Sequence, residues 1–458
     1  MIRTQKGRRI TDFGQTYSSR ISEVHSPKTI QEIIELVRWA NKTKTKIALR
    51  GNAYSQGGHT FADGAMVIDT KNLKKIYRPD LNQNSVVVQS GVTWKELKTA
   101  LRPYGLAPES TQTYDVFSIG GSVSVNAHGR NIDAGPIGET VLGLRLVSAT
   151  GNLVTLARDE NPELFSLVLG GFGLFGIIVD IRLRCTPNLI YKKLFTTFLP
   201  FESYLMFLRR QVLTNPDTHF HFGRMTYSKT DMWKNLFCVS YGVDADPRSI
   251  RQRPVLGKIK RLSEIAISKT TLGITKQSDW AKTLRMKLEI AARSSIDRAH
   301  RSDVCAESIS GVSKVLPLKN DILQEYFIPI DHVQGFVEDV RPVLLSSKIR
   351  LLNTTVRYVK NFESTFLSYA DRECLAFVLF FHNEQSHEFD HRMNSLAQVL
   401  IGLAIKHGGR PYLCYQLFST PDQLNQAYPK WSEFVLLKSK YDPDHLFQNR
   451  FFEKYGII

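Results

Sequence analysis

Residues 117–131 read FSIGGSVSVNAHGRN, and residues 51–58 upstream read GNAYSQGG. Both segments are built from glycine and small side chains. A dinucleotide pyrophosphate needs clustered backbone N–H groups that can approach it closely, and glycine permits that approach. Neither segment is a G-x-G-x-x-G turn followed by an acidic residue about 20 positions on, and no Walker A sequence occurs. Taken one at a time, each segment reads equally well as a tight turn with close packing. Their order along the chain, and what stands between them, decides the matter.

Working outward, residues 27–43 have apolar positions at helical spacing (Ile30, Ile33, Ile34, Val37), with Ser26 and Pro27 at the expected start. KIALR (46–50), AMVID (65–69) and SVVVQSGV (85–92) read as strands, and WKELKTALRPYG as a short helix ending at Gly105. Residues 141–156 read as a hairpin turning at Ala149-Thr150-Gly151-Asn152. NPELFSLVLGGFGLFGIIVDIRLRC (161–185) reads as helix, glycine turn and long strand. From about 320, strand and helix patterns alternate again through LQEYFIPI, VQGFVEDVRPVL, RLLNTTVRYV, CLAFVLFFH and SLAQVLIGLAIKHGG.

The 458 residues are 42% hydrophobic and 22% charged, globular proportions that exclude a disordered chain. The formal net charge of +17 suits anionic partners: nucleic acid, acidic lipid or a phosphorylated substrate. Much of it lies in residues 248–301, with fourteen Lys or Arg against four acids. There DWAKTLRMKLEIAAR (279–293) predicts a basic helix with Trp280, Leu284, Leu288 and Ala291 on one side. No nucleic-acid motif accompanies the charge, so a solvated face, peripheral contact with an anionic membrane or a gate for a phosphorylated substrate remain. The five cysteines (185, 238, 305, 374 and 414) form no CxxC pair, which argues against a metal site or a disulfide framework. The N-terminus lacks an apolar signal region, and no stretch of about 18 apolar residues occurs, so a cytoplasmic protein is expected.

The series IALRGNAYSQGG, AMVIDTKNLKKI, VVVQSGVTWKEL, FSIGGSVSVNAHG, LFSLVLGGFGLFGII resembles the FAD-binding domain of the vanillyl-alcohol oxidase (p-cresol methylhydroxylase, PCMH) superfamily across residues 15–187. KYDPDHLFQNRFFEKYG (440–456) resembles the end of the same proteins, where the chain returns to the FAD domain. HGRNIDAGPIGETVLGLRLVSATGNLVTL, GGFGLFGII and GGRPYLCYQ (408–416) resemble the decaprenylphosphoryl-ribose oxidases, with the aldonolactone and alditol oxidases as the other near branch. The resemblance implies an α+β fold: a PCMH-type FAD-binding domain of two α+β subdomains (1–190), a cap domain with an antiparallel sheet and flanking helices (191–415), and a C-terminal segment returning to the FAD domain (416–458).

It also implies a site. Arg50, Gly51, Asn52, Ala53, Tyr54 and Ser55 in the first segment would hold FAD. So would Ser118, Gly120, Gly121, Ser122, Ser124, Asn126, His128 and Gly129 in the second, with Ile177 and Asn449. Tyr54 stands where many members carry the histidine that links to the flavin, and His59 lies five residues later, so non-covalent FAD is expected. His128 would face flavin or substrate, or cap the turn. Arg357 matches a strand that carries a basic active-site residue in both branches, or is a solvated strand arginine. Gln324 and Tyr326 fall on another such strand. Tyr415 stands where the decaprenylphosphoryl-ribose oxidases have lysine, and would donate a hydroxyl or pack on the flavin edge.

The function implied is oxidation of a CH–OH group on a sugar, polyol or lipid-linked sugar by hydride transfer to flavin N5, with O2 or another acceptor taking the electrons. The rivals are the same fold acting on an amine or an aromatic alcohol or in an alkylglycerone-type reaction, and a non-catalytic basic flavin-binding protein.

Overall fold

Thr29 sets the first helix, Ile30–Thr43: its hydroxyl accepts from the Glu32 amide, and Lys44 closes the helix at φ 55°. The start expected at Ser26 and Pro27 moves to Thr29, which satisfies one of the amides left open at a helix end. The computed structural model describes residues 7–244, 279–280, 282–284, 286–287, 298–304, 321–384 and 386–456. An antiparallel hairpin, β1 (Arg9–Thr11) and β2 (Ser18–Arg20), precedes a parallel sheet of β3 (Glu23–His25), β4 (Ile47–Arg50) and β5 (Met66–Asp69) in the order β3-β5-β4. Alternation along these strands divides two small cores. Ile47, Met66 and Ile68 pack on Ile33 and Val37 of the helix, whereas Ala48 and Val67 pack on Ile10, Ile21 and Phe61.

A second sheet contains β6 (Ser85–Gln89), β7 (Leu106–Pro108), β8 (Val141–Val147), β9 (Leu153–Ala157) and β10 (Ile177–Pro187). Its order is β6-β10-β8-β9, with β7 also on β10. The expected β8–β9 hairpin forms, and Gly151 takes φ 75° in its turn.

The third sheet has eight antiparallel strands: β11 (Ile190–Pro200), β12 (Thr218–Met225), β13 (Asn235–Val243), β14 (Arg298–His300), β15 (Ile322–Pro329), β16 (Leu351–Val359), β17 (Cys374–Phe381) and β18 (Arg410–Pro411). Their order is β14-β11-β13-β12-β16-β17-β15-β18. Helices Phe201–Phe207, Val333–Ser346 and His387–Lys406 cover one face, burying Met225, Tyr326, Val356 and Phe377. Cross-strand partners share a face. The registers Arg224↔Thr355, Thr355↔Val378 and Glu325↔Val378 therefore put those residues on the opposite face, with Arg357 and Phe327 paired through Ala376 beside them. This is the expected α+β architecture, with an antiparallel sheet and flanking helices beyond the two smaller sheets.

Two connections tie these sheets together. The backbone of Arg130–Ile132 runs alongside β12, with Ile132 N donating to His219 O and His221 N to Arg130 O, both at 3.0 Å. The C-terminal chain comes back to β4, where Ile47 N donates to Leu446 O at 2.7 Å and Gln448 N to Ile47 O at 2.8 Å. Asp442 holds that return. Its carboxylate accepts from the Leu446 and Phe447 amides at 2.8 Å and pairs with the fully buried ammonium of Lys438. Burial brings Lys438 down to about 8, opposed by Asp442.

The basic helix expected over 279–293 lies largely outside the described residues. Of it, residues 279–280, 282–284 and 286–287 are helical. There Trp280 is 66% and Leu284 41% exposed, while Met286 is buried. The four described cysteines are unpaired, and Cys305 lies outside the described residues. Among the described residues no helix is long and apolar enough to cross a membrane.

Candidate functional site

The two glycine segments lie against each other. A Cβ on Gly51 would press into the Ser118 hydroxyl, and Asn52 Nδ2 donates to Val116 O at 2.7 Å. Ala53 takes φ 58°. Tyr54 packs between Phe13 and Phe117, with ring centres 5.1 and 5.0 Å away. Residues 51–55 stay half-buried, so this turn presents backbone to a groove. His59 takes no part in that surface. Its ring stacks between Phe172 and Phe451, Nε2 donates to Leu413 O at 2.9 Å, and Nδ1 accepts from the Ser55 hydroxyl at 3.0 Å. Full burial pushes its pKa down to about 4, so the ring is neutral with both nitrogens engaged.

In the second segment, Ser118 precedes the short helix Ile119–Ser124. Gly120 permits close packing, because a Cβ there would come 2.6 Å from Ser90 Cβ. Gly121 differs: it is exposed, and its Cβ would meet only the Ser118 hydroxyl, at 3.0 Å. Ser122 is spent internally, accepting from Trp94 Nε1 at 2.9 Å and donating to Gln112 Oε1 at 2.8 Å. Ser124 donates to Gly120 O at 2.8 Å. Asn126 takes φ 45°, and its side chain accepts from the Gly138 amide at 2.8 Å. Gly129 packs against the Thr111 carbonyl. Ile177 opens β10 in the core. Asn449 caps the last helix, accepting from Phe452 N at 2.9 Å and donating to Phe172 O at 3.0 Å. The Arg50 guanidinium turns to Asp69, 3.2 Å away. The open backbone at residues 51–55 and Gly121 suits a pyrophosphate. Ser118, Gly120, Ser122, Ser124, Asn126, Gly129 and Asn449 brace the turns around it, whereas Arg50 and Ile177 turn away from it.

On the face of the eight-stranded sheet away from its helices, the chemistry gathers on a residue that sequence reasoning passed over. Glu325 is 3% exposed. Its Oε1 accepts from His128 Nε2 at 2.6 Å, and its Oε2 accepts from the Tyr415 hydroxyl at 3.2 Å. Burial alone would raise the Glu325 pKa; the charge and hydrogen bond of His128, the Arg357 charge and the Tyr415 hydroxyl outweigh it and hold the carboxyl below its ordinary range. Tyr415 is pushed well up by burial and by Glu325, which keeps its proton in place as a donor. Arg357 Nε is buried without a hydrogen-bond partner among the described residues. His128, Arg357 and Tyr415 thus come together around Glu325.

Gln324 and Tyr326 do not join them. Gln324 Nε2 donates to Gln416 Oε1 at 2.7 Å, and Gln416 reaches Gln56 at 3.1 Å, a structural tie between β15 and the first glycine segment. Tyr326 is fully buried on the helix side near Phe336. A second residue missed is Arg130, buried two positions after His128 with its guanidinium 4.2 Å from the Phe222 ring centre. The arrangement joins a backbone cradle to an ionised carboxylate ringed by donors, which can bind and orient a hydroxyl-bearing carbon.

Residues 22–157 match a family described as FAD binding domain, and residues 267–455 one described as D-arabinono-1,4-lactone oxidase. Similar proteins include the mitochondrial L-galactono-1,4-lactone dehydrogenase of Brassica oleracea, 28% identical over 179 residues, 39% of this chain and 30% of that one. Cytokinin dehydrogenase 7 of Oryza sativa subsp. japonica is 31% identical over 198 residues, 40% and 37% of the two chains. L-gulonolactone oxidase of Bos taurus is 24% identical over 219 residues, 48% of each. The chain spans less than half the length of each of these relatives. The chain thus carries an FAD-binding domain followed by a segment similar to D-arabinono-1,4-lactone oxidases, a pairing consistent with the vanillyl-alcohol oxidase and p-cresol methylhydroxylase superfamily.

Proposed function

We propose that this protein is an FAD-dependent oxidoreductase that oxidises a hydroxyl-bearing carbon of a sugar-derived substrate, a polyol or an aldonolactone. The observation that carries the reading is the 2.6 Å bond between His128 and Glu325, with Tyr415 and Arg357 converging on the same carboxylate. FAD, when bound, supplies the two-electron acceptor. Gly51–Ser55 and Gly121 would hold its pyrophosphate, and no covalent link forms, since Tyr54 is wedged between aromatic rings and His59 has both nitrogens engaged.

Glu325 accepts the hydrogen bond of the substrate hydroxyl and polarises it. Arg357 points a free N–H to a substrate oxygen and offsets negative charge as the hydroxyl becomes a carbonyl. The Glu325 carboxylate takes the hydroxyl proton as the carbonyl forms, while the His128 N–H holds that carboxylate in place. O2 or another acceptor then takes the electrons.

The test is anaerobic mixing of the FAD-loaded protein with D-arabinono-1,4-lactone, L-gulono-1,4-lactone, L-galactono-1,4-lactone and a series of alditols. Loss of the oxidised flavin bands with at least one of them is expected. Bleaching by N-substituted amines alone moves the reading to the cytokinin dehydrogenase side, and bleaching by none sinks it. A lipid-linked substrate with peripheral membrane contact is a second reading, supported by the exposure of Trp280 and Leu284 within the basic segment. Preference for anionic over neutral vesicles near 0.15 M salt would favour it.

A further inference from the structure

The outer face of the parallel sheet β3-β5-β4 carries a cleft of about 480 Å³, lined by Arg8, Arg9, Thr11, Arg50, Asp69 and Lys71 among others. The N-terminal hairpin contributes Arg8 to Thr11, and the ends of β4 and β5 contribute Arg50 and Asp69. Four cations and one carboxylate thus meet in one concavity. Asp69 is fully buried and organises two of them, with Oδ2 3.2 Å from both Arg50 Nη2 and Lys71 Nζ. Arg9 is braced separately, through its bonds to the Ser18 hydroxyl at 2.7 and 3.0 Å. Arg50 Nε is buried without a hydrogen-bond partner among the described residues.

Alternation along β4 and β5 sets Arg50 and Asp69 on the side of Ala48 and Val67, under the hairpin. Ile177, expected at the cofactor, lies in the core on the other side of the sheet. The cap cluster around Glu325 contributes nothing to the cleft. Guanidinium forks bind phosphate oxygens bidentately, a lysine adds a point charge, and a concave wall strengthens both. The volume is that of a small-molecule site.

We propose that this cleft is a second ligand site, separate from the flavin groove, that takes a soluble phosphate-bearing small molecule. Arg8, Arg9, Arg50 and Lys71 hold the phosphate oxygens, and Asp69 fixes the orientation of Arg50 and Lys71.

Equilibrium dialysis of the full-length, FAD-loaded protein against radiolabelled inorganic pyrophosphate, with ionic strength held constant by chloride, tests this. Saturable binding at one site per chain is expected. The R9Q/K71Q double variant should bind at least tenfold more weakly with its flavin spectrum unchanged. The K42Q/K348Q pair, exposed lysines outside the cleft, should bind as the parent does. Non-saturable binding, or equal weakening in both pairs, overturns the site. Binding by the flavin-free protein alone also overturns it, because the cleft is then part of the cofactor site.

Discussion

His128 and Glu325, 197 positions apart, share a hydrogen bond of 2.6 Å that joins the second glycine segment to the cap sheet. One end of this bond belongs to the turn proposed to present backbone to the cofactor, and the other to the face proposed to receive substrate. Glu325→Gln should therefore retain FAD but slow flavin reduction by substrate on the order of a hundredfold or more. Because Glu325 is held below its ordinary range, it stays ionised as pH falls through the usual carboxylate titration. Stopped-flow reduction in the parent should show no Glu325-dependent loss until more acidic pH. Reduction at the parental rate in the glutamine variant would remove Glu325 from the site.

Arg357→Ala should also leave FAD in place and cost a hundredfold or more, since it removes a buried donor from the same face. Tyr415→Phe removes one hydroxyl bond to Glu325, at 3.2 Å, and should cost less, about tenfold. A larger loss at Tyr415 than at Arg357 would reverse the roles assigned to them.

Gly121→Val should abolish FAD retention, since its side chain would stand in the exposed cradle. Gly402→Val serves as the control: Gly402 sits in a helix, and a side chain there would meet only Gln423 Nε2, at 3.7 Å. Flavin content of the two purified variants decides. Equal loss in both would mean misfolding rather than lost cofactor contact.

Two buried histidines make stability fall with acid. His59 is pushed down to about 4 and His221 to about 3 by burial. Below the ordinary histidine range near 6.5 the unfolded chain takes up protons that the folded one refuses. Each therefore stabilises the fold fully above about pH 6.5, and that contribution, on the order of 3 kcal/mol for His59 and 5 kcal/mol for His221, is lost as pH falls toward the folded value. Melting temperature should drop between pH 7 and 5, and the slope should flatten in His59→Gln and His221→Gln. An unchanged slope in both would refute the linkage.

Acid precipitation should release all flavin to the supernatant. His59→Ala should behave the same way, with a lower melting temperature from loss of the stack between Phe172 and Phe451. Flavin retained in the pellet by the parent would mean a covalent link.

The strands and helices around the glycine segments were legible because their signals are local: β-branched runs, a helical period, glycine at turns. The Ile30 helix start was missed by a few residues because Ser26, Pro27 and Thr29 all suit a helix entry, and only the Thr29 bond to the Glu32 amide chooses among them. Glu325 was passed over for its neighbours because β15 is buried on both faces. Without a polar side, period two cannot say which residues face the cofactor, and Gln324 and Tyr326 have the opposite parity. One signal was present: Glu325 is the single carboxylate, and the single residue charged at neutral pH, in Ile322–Pro329. A charge in an otherwise uncharged buried strand requires a partner. Arg130 is the same lesson in a turn, a buried cation whose aromatic partner Phe222 lies far away in sequence.

The return of the C-terminal chain to β4 has a consequence for biosynthesis. Ile47 waits for Leu446 and Gln448, and the Asp442 carboxylate that shapes that return is itself made late. The parallel sheet beside the first glycine segment therefore has an unfilled edge throughout synthesis of the cap. Native cofactor loading becomes a post-translational event, and a fragment ending near residue 190 should emerge from the ribosome aggregation-prone and colourless.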